Sequence, residues 1–143
     1  MNGLKLHTNG LVEITKIPEG RAVFERLQRA LNCDWIDVVH AVNLPEPYCL
    51  VIDDEGLLKA KPKINLVVSY LYGFLNHNQP ICGDCVIMKD RHTDDGTETV
   101  GLDEKDFETL ADLFEKSNEE LVETHKKLIE LAKEVRRARN ENS

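Results

Sequence analysis

Leu4 to His7 and Val12 to Thr15 alternate apolar and polar positions, the period of an extended chain. Leu4 to His7 and Leu11 to Ile17 flank Thr8-Asn9-Gly10. Asn-Gly between extended segments signals a hairpin, because its turn positions favour φ > 0. On the second strand the face carrying Val12 and Ile14 is expected to be buried, and Pro18 ends that strand. The period then changes. Val23, Leu27, Ala30 and Leu31, with Phe24, recur at helical spacing and predict a helix from Glu19 to Asn32. Asn32 can close it in the left-handed conformation. Asp34 to Val42 is rich in β-branched residues and reads as a strand with Ile36, Val38 and Val42 on one face. Pro45 and Pro47 make an extended connector.

Tyr48 to Asp90 is the most specific stretch of the chain. An apolar strand, Tyr48 to Ile52, runs into the acidic turn Asp53-Asp54-Glu55-Gly56, and Leu57 to Lys59 is expected to return as a second strand. Asn65 is a good N-cap for a helix from Leu66 to Leu75, since its side chain can accept an orphan backbone N–H. Cys85 to Met88 reads as a buried strand. Asp94-Asp95-Gly96 is a turn, and Thr97 to Leu102 a last strand. The fold class is α+β: a small antiparallel or mixed sheet with two packed helices and a long C-terminal helix.

That last helix opens at Asp103, with Asp106 three residues on as in a capping box. Phe107, Phe114, Leu121, Leu128 and Val135 then lie seven apart, accompanied by Leu110, Ser117, Thr124, Leu131 and Ala138. A sustained heptad predicts a coiled-coil-like seam. Ser117-Asn118-Glu119-Glu120 could equally open a second helix. From Asp103 to Glu123 there are nine acids and two lysines, and from Lys126 to Arg139 six bases and two acids. An antiparallel partner would set acid against base. The expected organisation is a domain over residues 1–102 and an oligomerising helical extension over 103–143. The oligomer interface is expected at Phe114, Leu121, Leu128, Leu131 and Val135.

Composition narrows the function classes. At 143 residues one domain is expected. The net charge of −8 argues against nonspecific nucleic-acid binding, which needs clustered cations. No apolar run approaches the ~20 residues of a membrane span, and no secretory signal pattern opens the chain. The expected location is the cytoplasm, with the four cysteines reduced.

Four segments, in order, carry a family resemblance: FERLQRALNCDWIDVV, LVIDDEGLLK, an Asn followed closely by LYG, and PICGDCVIM. The span from about Leu11 to Leu102 resembles a domain family of phages, prophages and plasmids that is catalogued as a domain of unknown function. Asn32-Cys33 stands where that family has glycines, and the C-terminal helix is longer. The resemblance implies an α+β fold and a mobile-element setting in a host cytoplasm, and it implies no activity.

Candidate chemistry is sparse. Cys82-Gly83-Asp84-Cys85 is a C-x2-C with His77 before it and His92 after it, half of a zinc ligand set or a redox pair; without a second clean ligand pair, two small hydrophobes packed beside a glycine turn is the preferred reading. Cys33 and Cys49 have only His7 and His40 as partners for nucleophilic work. Asp53, Asp54 and Glu55 could hold a divalent cation, though such turns are usually only turns. No phosphate-binding, dinucleotide, zinc-protease or hydrolase motif is present. We therefore expect no enzyme, no metal and no cofactor. Trp35, Tyr70 and Tyr72 could stack on a ring, and Arg136, Arg137 and Arg139 could clamp phosphate. With Asn65, Tyr70, Tyr72 and the three arginines form the candidate ligand-binding set. The sequence reads as a binding protein of a mobile element, a counter-defence factor that sequesters a nucleotide signal. The alternative is an acidic inhibitor or decoy that binds a host defence protein directly.

Overall fold

The computed structural model describes residues 1–73 and 79–141, without the side chains of Arg21, Asn118, Glu120, Leu121, Thr124, His125 and Leu128. The predicted helix end at Leu75 and His77 of the zinc possibility lie outside the described residues. Six strands form one antiparallel sheet: β1 (Asn2–Leu6), β2 (Val12–Lys16), β3 (Ile36–Val39), β4 (Tyr48–Asp53), β5 (Cys85–Thr93) and β6 (Gly96–Val100). The order is β2-β1-β5-β4-β3, with β6 also paired to β5. The long β5 is shared: Cys85 to Ile87 pair with β1, and Lys89 to Thr93 pair with β6.

Local chemistry sets the turns. Gly10 N–H donates to the His7 carbonyl at 3.0 Å and His7 N–H to the Leu11 carbonyl at 2.9 Å. Only Gly10 in this turn has positive φ, at 89°. The loop is thus a three-residue turn with a bulge glycine rather than the two-residue form. Helix α1 (Val23–Leu31) follows a 3-10 turn at Gly20–Ala22 and ends on Asn32 at φ 49°, ψ 52°. Helix α2 (Leu66–Tyr72) is capped by Asn65 and closed by the left-handed Gly73.

The sheet is covered on both faces. One face packs Cys49, Val51, Val86 and Met88 under Val23, Leu27 and Leu31 of α1. The other packs Leu4, Leu6, Leu50, Ile52 and Ile87 under Val68 and Leu71 of α2 and Leu110 of α3 (Glu104–Lys116). All six β4 residues are buried. Fully burying each such Leu, Ile or Val contributes roughly 1.5–3 kcal/mol.

Several expectations are corrected. Val12 and Ile14 are 48% and 57% exposed. Each sits opposite a buried residue of β1, Leu6 and Leu4, but β2 is the sheet edge and the helices cover the neighbouring strands instead. Phe24 is also exposed on the outer side of α1, and Val42 lies beyond the end of β3. Leu57 to Lys59 is not a strand. Gly56–Leu58 forms a 3-10 turn, and the Gly56 backbone presses so close to Cys82 that an added Cβ would lie 2.4 Å from the Cys82 carbonyl oxygen. β4 finds both its partners in β3 and β5.

The long coiled-coil helix is also corrected. The C-terminal region is two helices, α3 and α4 (Asn118–Glu141), separated at Ser117. Phe107 and Phe114 pack on the core beside the buried Leu110, so the first heptad positions are consumed within the domain. α4 turns back toward the domain, its backbone coming within 8 Å of α2. Among the described residues, α1, α2 and α3 pack on the sheet.

Candidate functional site

A cavity of about 170 Å³ opens where β3 and β4 end near α2. Asp37, Asp53 and Asp54 line it together with Ile52, Tyr72 and Ile81. The register opposes Asp37 to Ile52 across β3 and β4, which puts both on the face that α2 covers. Asp53 ends β4 and is only 9% exposed. One of its oxygens accepts the Glu55 N–H at 2.9 Å, and the other lies 3.3 Å from the Lys59 ammonium. Asp54 donates its backbone N–H to the Trp35 carbonyl at 3.0 Å and exposes its carboxylate. The pocket floor is held by chain crossings: Asn65 N–H donates to the Ile81 carbonyl at 2.9 Å and Gly83 N–H to the Lys63 carbonyl at 2.8 Å.

The six predicted ligand-binding residues are not brought together. Tyr72 lines the pocket. Asn65 is 1% exposed; its amide donates to the Leu6 and Gly83 carbonyls, each at 3.0 Å, while its oxygen accepts the Val68 N–H at 3.2 Å. It ties β1, the β5 approach and α2 together. Tyr70 is 6% exposed in the core. Arg136, Arg137 and Arg139 are exposed on the last turns of α4, outside the pocket lining. Of the expected oligomer interface, Phe114 packs on the core, Leu131 is half-buried and Val135 is 51% exposed. The Leu121 and Leu128 side chains lie outside those described.

A second polar cluster supports α3. Asp103 and Asp106 exchange capping bonds at 3.0 and 2.8 Å. Asp106 also accepts the Tyr48 hydroxyl at 2.9 Å and the Lys89 ammonium at 2.7 Å. Burial works to raise the Asp106 carboxyl, but Lys89, the Asp103 N–H and Tyr48 outweigh it and hold it below the usual carboxylate range. Every bond here is internal, and the cluster anchors α3 to the sheet.

All four thiols are raised above the ordinary thiol range, first of all by burial. Burial, then the Asp90 carboxylate, pushes Cys49 up to about 12. Burial raises Cys85 strongly, and raises Cys33 and Cys82 as well. His40 pairs with Asp90, and His7 lies 2.6 Å from Glu13 and 3.4 Å from Asp84. Among the described residues no three His, Cys, Asp or Glu side chains converge as a metal site. His92 sits on the exposed β5–β6 hairpin, 3.2 Å from the Thr97 hydroxyl and away from Cys82 and Cys85 in the sheet. Among these residues, too, no helix is long and apolar enough to cross a membrane.

Sequence reasoning placed Tyr72 and the acidic turn but missed Asp37, Gln79 and the wall at Ile81. These come from separate segments, and no local spacing announces their meeting. The fold and its pocket define a small α+β domain, an antiparallel sheet clad in helices on both faces, with an acidic cleft at one end of its strands. The chain belongs to the DUF3846 family, a domain of unknown function, whose family model matches residues 1–115. The match takes in β1 and nearly all of α3, so it is wider than the resemblance over Leu11 to Leu102. No curated protein and no solved structure matches the chain.

Proposed function

We propose that this domain is a non-enzymatic binding protein whose acidic cleft takes a basic side chain of a protein partner. The observation that carries this is the lining of the cleft, which brings Asp37 and Asp54 beside Ile52, Ile81 and Tyr72. That combination suits the apolar stem and cationic head of an arginine or lysine. The net charge of −8 would add long-range attraction for a basic partner. A nucleotide signal fits less well: its phosphates would meet carboxylates in the cleft, and Arg136, Arg137 and Arg139 stand on another element. The raised thiols favour binding over nucleophilic catalysis. In the mobile-element setting, the partner would be a host defence protein met in the host cytoplasm, and the domain its inhibitor or decoy.

The test is an amide NMR titration with blocked tetra-arginine and, in parallel, with cyclic mononucleotides. The peptide should shift Asp54 to Leu57, weaken as salt rises, and lose its effect in Asp37→Asn/Asp54→Asn. It should keep that effect in the control Asp94→Asn/Asp95→Asn on the distant hairpin. Shifts from the nucleotides alone, or equal loss in both variants, would overturn the proposal.

A further inference from the structure

α4 lies wholly beyond the family-matched residues, and its surface carries features the domain does not use. It runs 24 residues, about 36 Å at the usual rise. α2 approaches one side of it. Val122 and Ile129, seven apart and therefore on one stripe, are 48% and 42% exposed. Arg136 continues that stripe one heptad on. The charge is polarised along the same helix. Glu119 and Glu123 mark its first half and Arg136, Arg137 and Arg139 its last turns, all exposed. Among the described residues, no ion pair engages these three arginines; the one such pair within α4 joins Lys127 to Glu130.

We propose that α4 pairs antiparallel with the α4 of a second copy of this chain. A parallel copy would set arginine against arginine. With a two-fold axis near Ile129, position 119 lies level with 139 and 122 level with 136, while Ile129 meets its own copy. The Arg136 stem then covers Val122 of the other chain, and its guanidinium reaches Glu119 and Glu123. Four acid–base contacts flank one apolar centre. The pairing is independent of the acidic cleft, which lies on the domain.

Sedimentation equilibrium on the full chain tests this. Wild type should show twice the 16.3 kDa chain mass at micromolar concentration. Ile129→Asp should weaken the dimer. So should Glu119→Arg/Glu123→Arg and, separately, Arg136→Glu/Arg139→Glu, each by roughly tenfold or more in Kd, about 1.4 kcal/mol per tenfold. All four reversals together should restore dimerisation, since each acid again meets a base across the axis. Circular dichroism checks that each variant is folded; the charge variants stand on exposed positions. A wild-type monomer at 100 µM (roughly a hundred times a micromolar Kd), a dimer indifferent to the reversals, or a combined variant that stays monomeric would overturn the pairing.

Discussion

Asp106→Ala should be among the most damaging single changes to a charged residue in this domain. Asp106 is 8% exposed, and its carboxylate serves three partners. Losing the 2.7 Å bond from Lys89, whose side chain is 23% exposed, costs about 1.5 kcal/mol, the low end for a charge-assisted bond because water can partly replace it. The Tyr48 hydroxyl, on a residue 5% exposed, is left unpaired at a cost of about 1 kcal/mol. The broken capping box adds roughly 0.5–1 kcal/mol. Shared partners make these terms less than additive, so the loss is about 3 kcal/mol. For a chain of this size that lowers Tm by roughly 10 °C.

Urea unfolding followed by circular dichroism reads the loss directly. The acid limb of stability gives a second measure. Asp106 is held below its ordinary value of 3.8, so its contribution is complete above that pH and disappears as pH falls through the folded value. The variant should lose that part of the acid slope. Lys89 is raised from 10.5 by its bond to Asp106, so its contribution holds below 10.5 and is lost as pH rises through its folded value. A loss under about 1 kcal/mol with an unchanged acid limb would refute the reasoning, since it would mean water already satisfies these groups.

Asn65→Ala should cost about 3 kcal/mol in the same unfolding assay, because three partners, two of them buried, lose their bonds; a loss below 1 kcal/mol would count against its tie between strand and helix. Gly56→Ala should cost roughly 1–3 kcal/mol, as its Cβ would lie 2.4 Å from a backbone oxygen that cannot move freely, and an unchanged Tm would refute that contact. Gly10→Val should cost about 1 kcal/mol or more through its positive φ alone, since nothing crowds the site. In thiol titration at pH 8 the native protein should show no fast-reacting cysteine and release all four on unfolding; one thiol reacting at the rate of free cysteine would contradict the raised values.

What was legible in the sequence was mostly local. Asn65 and the Asp103–Asp106 pair announce helix starts through short-range bonds to their own backbone. Asn32 announces a helix end through its tolerance of the left-handed conformation, and Gly10 and Gly96 mark turns. The alternation in β2 was legible too, but not which of its faces would be covered. That depends on where α2 and α3 lie, and they lie over β1, β4 and β5. Leu57 to Lys59 looks extended in isolation; the close approach of Gly56 to Cys82 bends it into a 3-10 turn. The heptad spacing alone does not distinguish a partner helix from a helix that buries Phe107, Leu110 and Phe114 in its own domain. The pocket was half visible: its acidic turn is contiguous, while Asp37, Tyr72 and Ile81 meet only through the fold.

The sharing of β5 between neighbours sets an order of events in time. The hairpins β1–β2, β3–β4 and β5–β6 each join residues close in sequence and can form quickly. The centre of the sheet cannot, because Leu6 must wait for Cys85 and Leu4 for Ile87. Closing so long a loop is slow, and during synthesis the apolar edge of β1 must remain unpaired until β5 has been made. Pulse-labelled hydrogen exchange should therefore find the β3–β4 amides protected before those between β1 and β5, and the reverse order would show that the ends of the sheet meet first. Asn65 then acts as a latch on that late step: its amide can reach the Leu6 carbonyl only after β1 has docked, so the final register and the seating of α2 are completed together.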